Sequence, residues 1–154
     1  MKNIKKVRVW SVGTMVLTLI HHAYGAAIYD EPFRLHVAIY AIPVIVVLLA
    51  SYAGFEKVKN LTRKKILLAT FIVVTLVVPT LAIGVYEGGY NHLVKNILYF
   101  SGTSTAILDQ LYPSIYELPN DLVFELTGMA QFFGGIQCGI VLYRSRGASG
   151  RIVG

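Results

Sequence analysis

Four apolar runs, residues 9–29, 35–55, 66–86 and 122–143, constrain this chain more than any other feature. An α-helix rises 1.5 Å per residue, so roughly 20 such residues cover the ~30 Å hydrocarbon core of a bilayer, and each run meets that length. Inside a membrane the backbone has no water to bond, which leaves the helix as the form such a run adopts. The sequence therefore predicts an all-α integral membrane protein, a four-transmembrane-helix bundle forming a single membrane domain over residues 1–144. Composition agrees: with 154 residues, 55% hydrophobic and only 14% charged, the chain carries more apolar surface than one soluble core of this size buries. The first run follows a basic start and ends at Gly25, Ala26 and Ala27, in the manner of a signal peptide, and we read it as a retained helix.

Direction follows from the basic residues, because Lys and Arg flanking a span are held on the cytoplasmic side. Of the 14, only Arg34 and Lys95 fall outside the start of the chain, the second connection and the C-terminal tail. The expected topology is N-in/C-in, in a plasma (inner) membrane. Among the acids, Glu56 alone shares the basic side. The net charge of +6 is thus spent on topology, and it excludes a nucleic-acid partner because the cations flank apolar runs instead of forming one solvated face. The single cysteine, Cys138, lies within an apolar run and permits neither a disulfide nor a cysteine zinc cluster within one chain.

The connection 87–121 is the only long one and is expected to be a structured extracytoplasmic loop. Leu93, Ile97 and Leu98, then Ile107, Leu108 and Leu111, have near-helical spacing and predict short interfacial helices, the second broken by Pro113 and Pro119. Asn120 is the candidate N-cap of the fourth span, with Asp121 in its first turn. Residues 145–154, rich in Gly and Arg, read as a disordered tail. The pairs Gly84/Gly88 and Gly135/Gly139 suit ordinary close helix packing, and Pro43 and Pro79 should bend their spans.

Once the spans are oriented, all 4 histidines fall in the extracytoplasmic half. His21 and His22 lie late in the first span, His36 opens the second, His92 follows the third, and Glu125 sits in the first turn of the fourth, with Glu87 just beyond the third. Ionisable groups inside a span are costly and imply function by default. Histidine and carboxylate are ligands for zinc, copper and iron, and a site between bundled helices needs them to converge from several spans. His21, His22, His36, Glu87, His92 and Glu125 are accordingly the candidate metal ligands. Neighbours on a helix point about 100° apart, so one of His21 and His22 is expected to ligate and the other to support it. Glu87 and His92, five apart, are misaligned on a regular helix unless Gly88 and Gly89 distort it. Tyr24, Tyr29, Tyr40, Tyr86 and Tyr90 read as an aromatic belt.

No metalloprotease pair, membrane-hydroxylase histidine array, nucleophile elbow or phosphate loop occurs in the sequence. The leading expectation is a membrane metalloprotein with an extracytoplasmic His/carboxylate site; whether it is a metal-dependent enzyme acting on a lipid-soluble substrate the sequence leaves open. The alternatives are a haem-binding electron-transfer subunit with paired axial histidines, and a small transporter or accessory subunit in which His22, Glu125 and Gln131 line a polar path. Membrane lipids, a second copy of the chain or a partner membrane subunit are the expected partners.

Overall fold

The computed structural model describes residues 2–112 and 117–149. Five helices account for most of them: α1 (Lys2–Ile28), α2 (Leu35–Lys57), α3 (Leu61–Phe100), α4 (Thr105–Leu111) and α5 (Leu122–Ser149). Strands are absent among the described residues. α1, α2, α3 and α5 are each long and apolar enough to cross a membrane. Their outward faces carry Val9, Ile20, Ile39, Ile42, Val46, Val73 and Leu126, all exposed in the isolated chain, as surfaces meant for lipid are.

Local chemistry sets the turns. Asp30 takes a positive φ of 51°, a region that Asp tolerates better than most residues, and Pro32 opens a short 3-10 turn, Pro32–Arg34, leading into α2. The Asn60 side chain caps α3 by accepting from the Arg63 amide at 3.0 Å. At the start of α5 the cap is Asp121, whose Oδ1 accepts from the Phe124 amide at 2.7 Å. Asn120, the expected cap, instead accepts from the Tyr29 hydroxyl at 2.5 Å.

α3 departs most from expectation. The third span was expected to end at 86, but the helix runs to Phe100, so Leu93, Ile97 and Leu98 continue the span and form no separate interfacial helix. From Leu76 to Val94 its turns are wide, bonded i to i+5. Residues 87–92 look like a loop in sequence because they are polar and glycine-rich, yet Gly88, Gly89, Asn91 and His92 are all buried. α5 covers this face. The two helices meet so closely at Gly84 and Gly135 that a Cβ on either would lie 2.4–2.6 Å from the other's Cα, which only paired glycines permit.

The other predicted interfacial group, Ile107, Leu108 and Leu111, lies on α4, with Leu108 buried. Two tyrosines clasp α4 to α3: Tyr90 donates to the Leu111 carbonyl at 2.9 Å and Tyr112 to the Tyr90 carbonyl at 3.0 Å. Burial beside Tyr90 pushes the Tyr112 phenol up to about 12. Pro113 lies outside the described residues. α5 continues to Ser149, past the expected start of a disordered tail, because it still packs there: Ser145 is buried and Asn3 on α1 donates to the Arg144 carbonyl at 3.4 Å. Residues 150–154 lie outside the described residues.

One end of the bundle thus holds Asn3 against Arg144, Arg8 over the Tyr52 ring at 4.6 Å and Lys64 over Phe55 at 5.2 Å. Its core is apolar: Ile4, Val7, Leu48, Phe55, Leu68 and Phe71. The polar residues converge at the other end.

Candidate metal centre

Beyond Ile4 and Val7, the buried side chains of α1 are Ser11, Thr14, Met15, Thr18, His21 and His22, while Val9, Val16 and Ile20 face outward. Thr18 donates to Gln131 Oε1 on α5 at 2.8 Å, and Thr14 lies 3.8 Å from Cys138 Sγ. One turn further along, His21 and His22 enter the space between α3 and α5.

His21 is fully buried and its ring stacks on Phe124, with centroids 4.2 Å apart. Nδ1 lies 3.0 Å from the Thr127 hydroxyl. That hydroxyl has one proton, which it donates to the Val123 carbonyl at 2.7 Å or the Phe124 carbonyl at 3.0 Å. With that proton on a carbonyl it accepts from Nδ1–H, the tautomer in which Nε2 of His21 carries a lone pair. Nε2 is buried without a hydrogen-bond partner. Both ring nitrogens of His22 are likewise buried and unbonded, with Nε2 3.6 Å from Glu87 Oε1. His21, His22 and Glu87 each offer a ligand atom within 4.8 Å of the others. The neighbouring histidines therefore converge, contrary to the division of labour expected of them: their rings meet edge to face at 5.0 Å, and side-chain reach offsets their angular separation.

Glu87 is held by α3 itself. Asn91 donates to its Oε2 at 2.7 Å, and His92 Nε2 lies 3.7 Å from Oε1. A carboxylate that meets both i+4 and i+5 is what wide i→i+5 turns produce, and Glu87 and His92 share a face for that reason. His92 in turn places Nδ1 2.9 Å from Glu125 Oε2 and packs edge to face against His21 at 4.7 Å. Gly128 makes room for it, since a Cβ there would sit 2.3 Å from the imidazole.

Two residues that sequence reasoning passed over complete the arrangement. Lys95, counted there only as a stray loop cation, is buried; its Nζ lies 3.4 Å from Glu125 Oε1 and donates to the Glu117 carbonyl at 2.6 Å. Asn96 donates to Glu125 Oε2 at 2.5 Å and to the His92 carbonyl at 2.8 Å. Their signal was available: Asn91, His92, Lys95 and Asn96 recur at helical spacing. Arg34, the other basic residue at this end, is buried against Glu31 at 2.5 Å and lies over the rings of Tyr29 and Phe124 at 5.0 and 5.5 Å. Burial, with Glu125 and Asp121 nearby, raises the Tyr29 phenol to about 12.

His36 does not join the group. It is exposed on α2, bonded to the Phe33 carbonyl and beside Tyr40. Tyr24 reaches both Asp121 oxygens at 3.3 Å, whereas Tyr40 and Tyr86 stay on the exposed surface.

Lys95 sits against Glu125 and Arg34 against Glu31, while Glu87 faces the imidazoles of His22 and His92 and the amide of Asn91. A buried carboxylate beside imidazole nitrogens is an arrangement that can hold a cation. An ion with bonds of about 2.1 Å needs tetrahedral ligand atoms roughly 3.4 Å apart, so a contraction of up to about 1.4 Å among these side chains would close the site. No family model, curated protein or solved structure matches the chain.

Proposed function

We propose that this chain is a membrane metalloprotein in which His21, His22 and Glu87 bind a single transition-metal ion, with His92, Glu125, Lys95 and Asn96 holding the ligands in place. The observation that carries the reading is His21 Nε2, buried without a hydrogen-bond partner beside His22 and Glu87. Two imidazoles and a carboxylate suit zinc or iron, and copper also takes imidazole. Three protein ligands leave a coordination position open, as catalytic sites do, and a metal there would acidify bound water or polarise a lipid-soluble substrate. The close packing of His21, His22 and His92 rings supports an ion over a haem, whose macrocycle needs a slot between axial ligands. The division of basic residues supports placing the centre at the extracytoplasmic end, with both termini cytoplasmic.

Elemental analysis and an optical spectrum of the purified protein test this directly. The expected result is about one equivalent of metal per chain, no Soret band, and loss of the metal in Glu87→Gln and in the His21→Ala/His22→Ala double variant, both still helical and monodisperse. Unchanged metal content in those variants, or a metal-free wild type that gains no thermal stability when zinc, iron or copper is added, would overturn the reading. Orientation is checked by single cysteines in a Cys138→Ala background: positions 30 and 104 should react with an impermeant reagent outside intact cells and position 60 should not.

A further inference from the structure

A second feature lies at the opposite end of the bundle and belongs to neither the metal centre nor its support. Between the start of α1, the first half of α3 and the end of α5 is an open crevice of about 610 Å³, lined by Ile4, Ile72, Leu76, Gly139, Leu142 and Tyr143, with Ser145 at its edge. Its volume is in the range of built small-molecule pockets, about 300–1,000 Å³. The walls are apolar, so water gains nothing there, and the crevice opens between helices that are themselves long and apolar enough to cross a membrane.

Charge surrounds this apolar slot. Lys5 follows Ile4, Arg144 stands between Tyr143 and Ser145, and Lys65 is two helical turns before Ile72 on the same face of α3; all three are exposed. This end of the chain carries the large majority of the Lys and Arg residues and, among the acids, only Glu56. An acyl chain matches the crevice and a phosphate matches its rim. Basic pockets between membrane helices bind anionic headgroups by this combination. We propose that the crevice is a binding site for one anionic phospholipid, its acyl chain between α1, α3 and α5 and its headgroup among Lys5, Lys65 and Arg144.

Native mass spectrometry of the full chain in mixed micelles, with phosphatidylglycerol or phosphatidylcholine of the same acyl chains as probes, tests the proposal. The expected result is one retained phosphatidylglycerol per chain, with about tenfold preference over phosphatidylcholine. Lys65→Gln/Arg144→Gln should abolish the preference while leaving the chain folded. A Cβ at Gly139 would meet only Thr80 Cγ2, at 3.4 Å, so Gly139→Leu projects into the crevice without striking backbone and should displace the lipid; Leu76→Trp serves if Gly139→Leu does not fold. Equal retention of the two lipids, retention undiminished in both filling variants, or a second copy of the chain cross-linking through position 139 would overturn it.

Discussion

The two ends of this bundle bury side chains equally well and for opposite reasons. At the basic end, Val7, Leu48, Phe55 and Phe71 are nearly inaccessible and touch other apolar groups. At the far end His21, His92, Lys95 and Glu125 are just as buried, and each polar atom either has a named partner or stands conspicuously without one. In lipid the first arrangement gains only packing, since the membrane is already apolar. The second incurs desolvation and must be compensated locally. Burial by itself therefore says little about function here; its chemical cost says more.

The sharpest way to break the contrast is Glu125→Leu. It leaves Lys95 and His92 buried without their carboxylate and should destabilise the protein by about 3–5 kcal/mol, measured by reversible unfolding in mixed micelles. Lys95→Met/Glu125→Leu should recover much of that loss; a double variant as unstable as the single one would show that the pair is not what matters. Next in size is Phe71→Ala, whose cost at the apolar end should be about 2–3 kcal/mol, at the low end for such truncations because only the cavity contributes when lipid is the alternative surrounding. Gly128→Ala forces the His92 ring to move and should lower metal content while leaving the apolar end intact, read by elemental analysis beside the circular dichroism spectrum. Smaller again is Thr18→Val, which removes one buried bond to Gln131 and should cost about 0.6–1.7 kcal/mol. At the bottom of the scale, His36→Ala should change neither metal content nor stability beyond about 0.5 kcal/mol.

The same contrast decides what could be seen in the sequence. Hydropathy alone marks four spans because lipid demands it of every residue in them, whatever the neighbours. It also exposes His21, His22 and Glu125, since ionisable groups inside apolar runs stand out. Lys95 did not stand out, because ending the third span at 86 placed it in a loop; the helix continues instead, with glycines at 84, 88 and 135 letting α5 pack closely against it. His36 shows the converse. Its position near the expected membrane surface matched the others, but the Pro32–Arg34 turn directs it to the Phe33 carbonyl and away from the centre. The pairing of Glu87 with His92 was legible only as a conflict with regular helical spacing, and its resolution required knowing the width of the turns.

Those wide turns also make α3 a register device. Glu87 lies within the i→i+5 stretch, and His92, Lys95 and Asn96 follow it near or beyond its end. If one wide turn between Glu87 and His92 were exchanged for a four-residue turn, every later residue would be displaced by one position, about 100° around the axis. His92, Lys95 and Asn96 would leave Glu125 together, as a block, while Glu87 stayed beside His21 and His22. The proposed ligands and the residues that support them are thus separable by a single twist along one helix, with no change in how the four long helices pack.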